Sequence, residues 1–166
     1  MRYSTIIIGL LSTIALAAPT ALEVRAEPCA PTSYTLSDFT LETSSTYGKV
    51  NFKFQSVFAS ATGIDDSVMT NGSVCHGEGS SVPNNNVCSA PDRKLLFDLR
   101  AEQNSPRYQI THTWVCNGQT WMSGNDVTIE PSSLDCNESS GVRKCTASSQ
   151  TFMPQNVRRI CNAPRC

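Results

Sequence analysis

The sequence predicts a single all-β domain, an antiparallel β-barrel or β-sandwich stapled by disulfides. Three observations predict it. Apolar residues recur at every second position in several segments, eight cysteines follow an export-type leader, and an Asn-Gly pair separates two of the alternating runs.

Residues 48–60 place Val50, Phe52, Phe54 and Phe58 on one parity, with Asn51, Lys53 and Gln55 on the other. Successive side chains of a strand point to opposite faces, so this spacing gives one apolar face and one wet face. Residues 93–101 repeat it with Leu95, Phe97 and Leu99 against Asp98 and Arg100. Residues 108–116 do so again, with Tyr108, Ile110 and Trp114 opposite Gln109, Thr111 and Thr113. In residues 34–41 the apolar phase slips between Leu36 and Phe39, which predicts a bulge near Ser37 and Asp38. Both central residues of a type I′ turn need positive φ, so Asn117-Gly118 predicts a tight hairpin between residues 108–116 and 119–129. That register sets Trp114 opposite Trp121, a pairing that supports the hairpin first and could form a binding platform second. Gly124-Asn125 is expected to bend or bulge the return strand, and residues 146–153 form a further strand. Two polar segments, 63–90 and 131–142, read as long loop excursions.

The leader predicts export. Arg2 precedes an apolar run over residues 6–17 that ends Ala15-Leu16-Ala17, which is the layout of a signal peptide. Cleavage is expected after Ala17, with residues 18–25 as a short pro-segment or the cut falling later, after Ala26. The secreted domain is then 27–166. Thirteen Lys and Arg against fourteen Asp and Glu give a net charge of −1, so neither nucleic acid nor an anionic membrane is expected as a partner. Arg158, Arg159 and Arg165 read as a solvated tail.

All eight cysteines, Cys29, Cys75, Cys88, Cys116, Cys136, Cys145, Cys161 and Cys166, follow the leader. An even count in an exported chain reads as a disulfide framework. Zinc is not expected, because no Cys-x-x-Cys pair exists, and no cofactor is implied. Eight cysteines leave 105 pairings open. Cys75–Cys88 is the first expectation, stapling the 63–90 excursion, and Cys116–Cys136 the second. Cys29 would join one of the last two. Asn71-Gly72-Ser73 and Asn137-Glu138-Ser139 are sequons, so Asn71 and Asn137 are candidate glycosylation sites in the two excursions.

The usual catalytic motifs are absent from the sequence: no Gly-x-Ser-x-Gly, no His-Glu-x-x-His, no phosphate-binding glycine loop. His76 sits beside Cys75 in a presumed loop. His112 shares strand parity with Tyr108, Ile110 and Trp114, which points it inward beside aromatic rings; it reads as a structural histidine hydrogen-bonded at the rim of the core, with a role in a ligand pocket as the sharper option. Asp65, Asp66, Glu78, Asp92 and Asp98 read as solvated residues and not as an acid/base pair. No catalytic residue is assigned, and the ligand-binding residues are not identified.

From Ser33 onward the chain resembles the fungal family typified by the major allergen of Alternaria, the AA-one-like domain. The resemblance rests on Tyr34-Thr35-Leu36-Ser37-Asp38-Phe39, Val50-Asn51-Phe52-Lys53-Phe54, Val87-Cys88-Ser89 and Leu95-Leu96-Phe97-Asp98-Leu99. It continues through Tyr108-Gln109-Ile110-Thr111-His112-Thr113-Trp114, Val127-Thr128-Ile129 and Thr151-Phe152. It implies a secreted β-barrel or sandwich that acts without catalysis as an effector, elicitor or allergen, engaging a host defence protein or a small phenolic ligand. Cys75 with Cys88 looks like the family's first bridge. The extra cysteines depart from the family pattern and put its dimer and ligand site in doubt, so a monomer or weak dimer is expected. The competing readings are a small secreted hydrolase acting on cell-wall polymers and a structural wall protein.

Overall fold

The computed structural model describes residues 28–80, 84–102 and 105–161. The leader, its cleavage positions, Arg165 and Cys166 lie outside the described residues. Twelve strands are described: β1 (Ser33–Thr43), β2 (Gly48–Val57), β3 (Ile64–Asp65), β4 (Ser73–Gly79), β5 (Asn86–Val87) and β6 (Leu95–Leu99), then β7 (Arg107–Cys116), β8 (Gln119–Thr128), β9 (Leu134–Ser139), β10 (Val142–Ala147), β11 (Gln150–Phe152) and β12 (Arg158–Arg159).

They form two antiparallel sheets. The first runs β4-β2-β1-β10-β9 with β11 also on β1, and the second runs β12-β8-β7-β6-β5 with β3 also on β7. The sheets do not close on one another, so the architecture is a sandwich and not a barrel. The alternating residues meet between them: Val50, Phe52 and Phe54 from β2 and Leu95, Phe97, Tyr108 and Ile110 from the opposite sheet are all buried. The Phe52 and Phe97 rings touch edge to face at 5.0 Å across the two layers.

The phase slip in β1 is a bulge. Ser37 pairs with Lys53 and Thr40 with Asn51, so Asp38 and Phe39 together oppose Phe52. Asp38 takes φ 54°, and the extra residue lets Leu36 and Phe39 both face inward. The same kink divides the partner strand: β11 pairs with β1 before the bulge and β10 after it. The 146–153 strand is therefore two pieces.

The β7–β8 hairpin turns at Asn117 and Gly118 with φ 49° and 73°. Its ladder is unbroken from Cys116 opposite Gln119 to Arg107 opposite Thr128, which corrects the bend expected at Gly124-Asn125. Gly118 has open space where a Cβ would stand, so Gly118→Ala tests backbone strain alone. A loss of about 1–2 kcal/mol is expected in urea denaturation.

Both predicted excursions contain strands. β4 pairs with β2 along its full length, from Gly48 opposite Gly79 to Phe54 opposite Ser73. Its inward residues are Ser73, Cys75 and Gly77, too small to produce a hydropathic period. The 131–142 segment supplies β9 and a second tight turn at Ser140 and Gly141, with φ 52° and 75°. Arg158 and Arg159 are not in a loose tail: they pair with Met122 and Trp121 at the edge of β8.

Three bridges join described cysteines. Cys75–Cys88 forms as expected. Cys116–Cys136 does not. Cys116 joins Cys29, and Cys136 joins Cys145 directly across the β9–β10 ladder. The two expected partners lie on different sheets, each already facing a closer cysteine. Cys161 is also disulfide-bonded, and the expected link from Cys29 to the C-terminal end is replaced by Cys29–Cys116.

Candidate functional site

His112 does not sit at the rim of the core. Strand alternation on β7 turns it fully inward, at 0% exposure, with its ring stacked on Trp114 at 5.0 Å. Its Nε2 donates to Asp66 Oδ1 at 3.1 Å, and its Nδ1 lies 3.1 Å from the Tyr34 hydroxyl. The Tyr34 and Ser123 hydroxyls are 2.7 Å apart, and Asn125 Nδ2 donates to Ser123 Oγ at 3.0 Å. Asp66 also accepts from the Ser56 hydroxyl and from the Val68 backbone N–H. One polar chain thus crosses the sandwich, with Tyr34 and Ser56 from one sheet and His112, Ser123 and Asn125 from the other.

Asp66 corrects the expectation of a solvated residue, while Asp65 beside it is exposed, as strand alternation requires. Burial pushes the Asp66 carboxyl up. The His112 hydrogen bond and charge, together with Ser56 and Val68, outweigh that and hold the carboxyl below its ordinary range. Burial pushes the Tyr34 hydroxyl far above its ordinary value. The Asp-His-Tyr order has the members of a proton relay, but both the Asp66 and His112 side chains have 0% exposure. A substrate in solvent does not touch it, and its described contacts are those of a clamp between sheets.

The remaining candidates form no common site with this cluster. His76 is on β4 and not in a loop; it is exposed, 2.7 Å from Asn51 Oδ1 and 3.6 Å from Glu78. Glu78 in turn pairs with Lys49 at 3.4 Å. Asp92 is exposed in a short 3-10 turn, and Asp98 accepts the Asn85 backbone N–H and pairs with Arg100. Trp114 is opposite Trp121 as the hairpin requires, but it is fully buried and donates its indole N–H to the Cys29 carbonyl at 2.8 Å. It is core, not a platform. No group of three or more metal-ligating side chains occurs among the described residues.

An open cleft lies elsewhere, at the end of the sandwich. It measures about 420 Å³ and is lined by Thr43, Ser44 and Ser45 from the end of β1 and the turn after it, by Glu138, Gly141 and Arg143 from the β9–β10 hairpin, and by Glu102 from the segment between β6 and β7. Thr43 pairs with Arg143, and Arg143 with Glu138, so one row of side chains across the first sheet builds its floor. Arg143 Nη2 lies 3.4 Å from Cys136 Sγ, which anchors the guanidinium to the disulfide-braced hairpin. Hydroxyls, one guanidinium and two carboxylates converge there: a surface that recognises by hydrogen bonds. None of these residues was singled out as a binding residue in the sequence, because they come from three separate segments with no motif. Asn71 and Asn137 are both exposed, Asn71 in a turn before β4 and Asn137 on β9 itself, which corrects its placement in a loop. Among the described residues no helix is long and apolar enough to cross a membrane. Compared with known proteins, the chain matches no family model, no curated protein and no solved structure.

Proposed function

We propose that the chain is an exported, non-catalytic recognition protein, a fungal effector or elicitor that binds a host extracellular protein or a small ligand. The observation that carries this is the contrast between the two polar clusters. The histidine–carboxylate pair is sealed between the sheets, while the solvent-open cleft presents hydrogen-bonding groups around Arg143. Disulfides and the signal-like leader support export. The cleft's hydroxyls and charges suit a polar peptide segment or a sugar better than a flat phenol, which needs an apolar wall.

The mature chain, immobilised and exposed to host apoplastic fluid, is expected to retain a specific partner. Arg143→Ala is expected to lose about 2 kcal/mol or more of binding, roughly thirtyfold, if Arg143 is a central contact. Its unfolding midpoint should stay close to that of the wild type. Retention equal for both chains removes the cleft from the reading, and no retained partner with folded protein removes the reading itself.

A second reading rests on Glu102 and Glu138, which line the same cleft. Glycoside hydrolysis uses two carboxylates facing across such an opening. Release of reducing sugar from wall polysaccharides by the wild type, lost in both Glu102→Gln and Glu138→Gln, would replace binding by catalysis.

A further inference from the structure

A sheet edge with unpaired N–H and C=O groups is a template for pairing with another chain, and stable folds cover or obstruct it. In this sandwich the other ends of the two strand paths are short or partly engaged. The β8 edge carries β12, and the Gly124 and Asp126 backbone N–H groups donate further bonds to Gln155. The opposite edge of that sheet ends in the two-residue strand β5. On β4, the Val74 backbone groups bond to Ser89. β9 is the last strand of the first sheet. It pairs with β10 on one side, and its other side meets no strand among the described residues.

The ladder shows which groups that edge presents. Cys136 and Cys145 are directly opposed with Cα atoms 4.1 Å apart, the close spacing of a non-hydrogen-bonded pair. Asn137 opposite Lys144 is then a hydrogen-bonded pair, so its own N–H and C=O point into the sheet. The residues on either side of it, Cys136 and Glu138, turn theirs outward to the free edge. The Cys136 side chain packs toward the core, so alternation sends the Asn137 side chain to the opposite, outer face, where it is exposed. Asn137 also begins the sequon Asn137-Glu138-Ser139. This edge therefore carries, at its middle, a residue that the secretory pathway can glycosylate.

We propose that Asn137 bears an N-linked oligosaccharide that shields the β9 edge and prevents two copies of the chain from joining edge to edge. This rests on the export reading above. In the modification the Asn137 amide nitrogen forms a bond to the anomeric carbon of a lipid-diphosphate-linked oligosaccharide. The anomeric carbon–oxygen bond breaks, and the lipid diphosphate leaves with the amide proton taken up by base. The bulky, hydrated glycan stands beside the exposed Cys136 and Glu138 backbone groups and excludes an incoming strand by volume. Asn71 differs: it precedes β4, whose edge Ser89 already engages.

The full chain, produced in a eukaryotic secreting host, gives the test. Intact mass and peptide mapping, with and without peptide N-glycosidase, are expected to place a glycan on Asn137 in protein recovered from the medium. Sedimentation is expected to show a monomer that shifts to a dimer or larger species in Asn137→Gln and in Ser139→Ala. The same shift is expected when the folded wild type is deglycosylated enzymatically, which removes any dependence on the variants folding. Secreted protein with Asn137 unmodified overturns the proposal while leaving export intact. Glycan loss without self-association overturns the shielding role. Protein retained inside the cell overturns both this and the export reading.

Discussion

Asp66→Ala is expected to destabilise the protein by about 3–5 kcal/mol in chemical denaturation, the cost of leaving the buried His112, Ser56 and Val68 donors without their acceptor. The side chain has no solvent exposure, and four groups depend on it directly or at one remove: His112, Ser56, the Val68 amide and, through His112, Tyr34. The penalty comes mainly from the stranded imidazole, not from the worth of the pair. Asp66→Ala combined with His112→Leu should therefore recover part of the loss, since replacing both members of a buried pair by apolar groups is often close to neutral. A single variant within about 1 kcal/mol of wild type would show that water or rearrangement satisfies His112, and the clamp would fail as an explanation. The same carboxyl sets an acid limit. Its folded-state pKa is depressed relative to the unfolded chain, where aspartate titrates at about 3.9. The stabilisation is thus fully present above that value and is lost as pH falls through the folded-state pKa. Asp66→Asn should flatten this part of the stability-versus-pH curve.

The second large effect is expected from Cys29 and Cys116. Their bridge closes the longest loop among the described pairs, with a sequence separation of 87 against 13 and 9 for the others. In the chain-entropy picture this is nominally about 4.6 kcal/mol, against about 3.0 and 2.7 for the two short loops. Its position adds to this. Cys29 supplies the carbonyl that accepts the Trp114 indole N–H, and Cys29, Trp114 and Cys116 form a small core of their own beside Phe58, Ile64, Trp121 and Val157. The Cys29→Ala/Cys116→Ala double variant should lose more stability than Cys136→Ala/Cys145→Ala under non-reducing denaturation. The reverse order would mean that the N-terminal segment is held by packing, with the bridge adding little.

Much of the scaffold was legible because strand formation is a local property. The parity of Val50, Phe52 and Phe54 needs no knowledge of the partner sheet to reveal a buried face. The Leu36-to-Phe39 slip announced its bulge, and Asn117-Gly118 its turn, because only a few backbone conformations suit those residues. β4 escaped notice for a related reason. Its buried positions hold serine, cysteine and glycine, and burial of small residues leaves no hydropathic trace. The β9–β10 hairpin was hidden by polar residues on both of its faces near the end of the sandwich. Asp66 could not be told from Asp65 in one dimension, since both are aspartates in a polar stretch.

Alternation, turn chemistry and cysteine content were properties of the chain as written, each encoded within a few neighbouring residues. The sandwich rather than a barrel, the partners of Cys29 and Cys136, the sealing of His112 against Asp66, and the assembly of Arg143 with Glu102 in one cleft came only with the packed structure. Each depends on residues tens of positions apart being brought together by strand register and by the stacking of two sheets. Those are decided by the free energy of the whole core, and no short segment carries them.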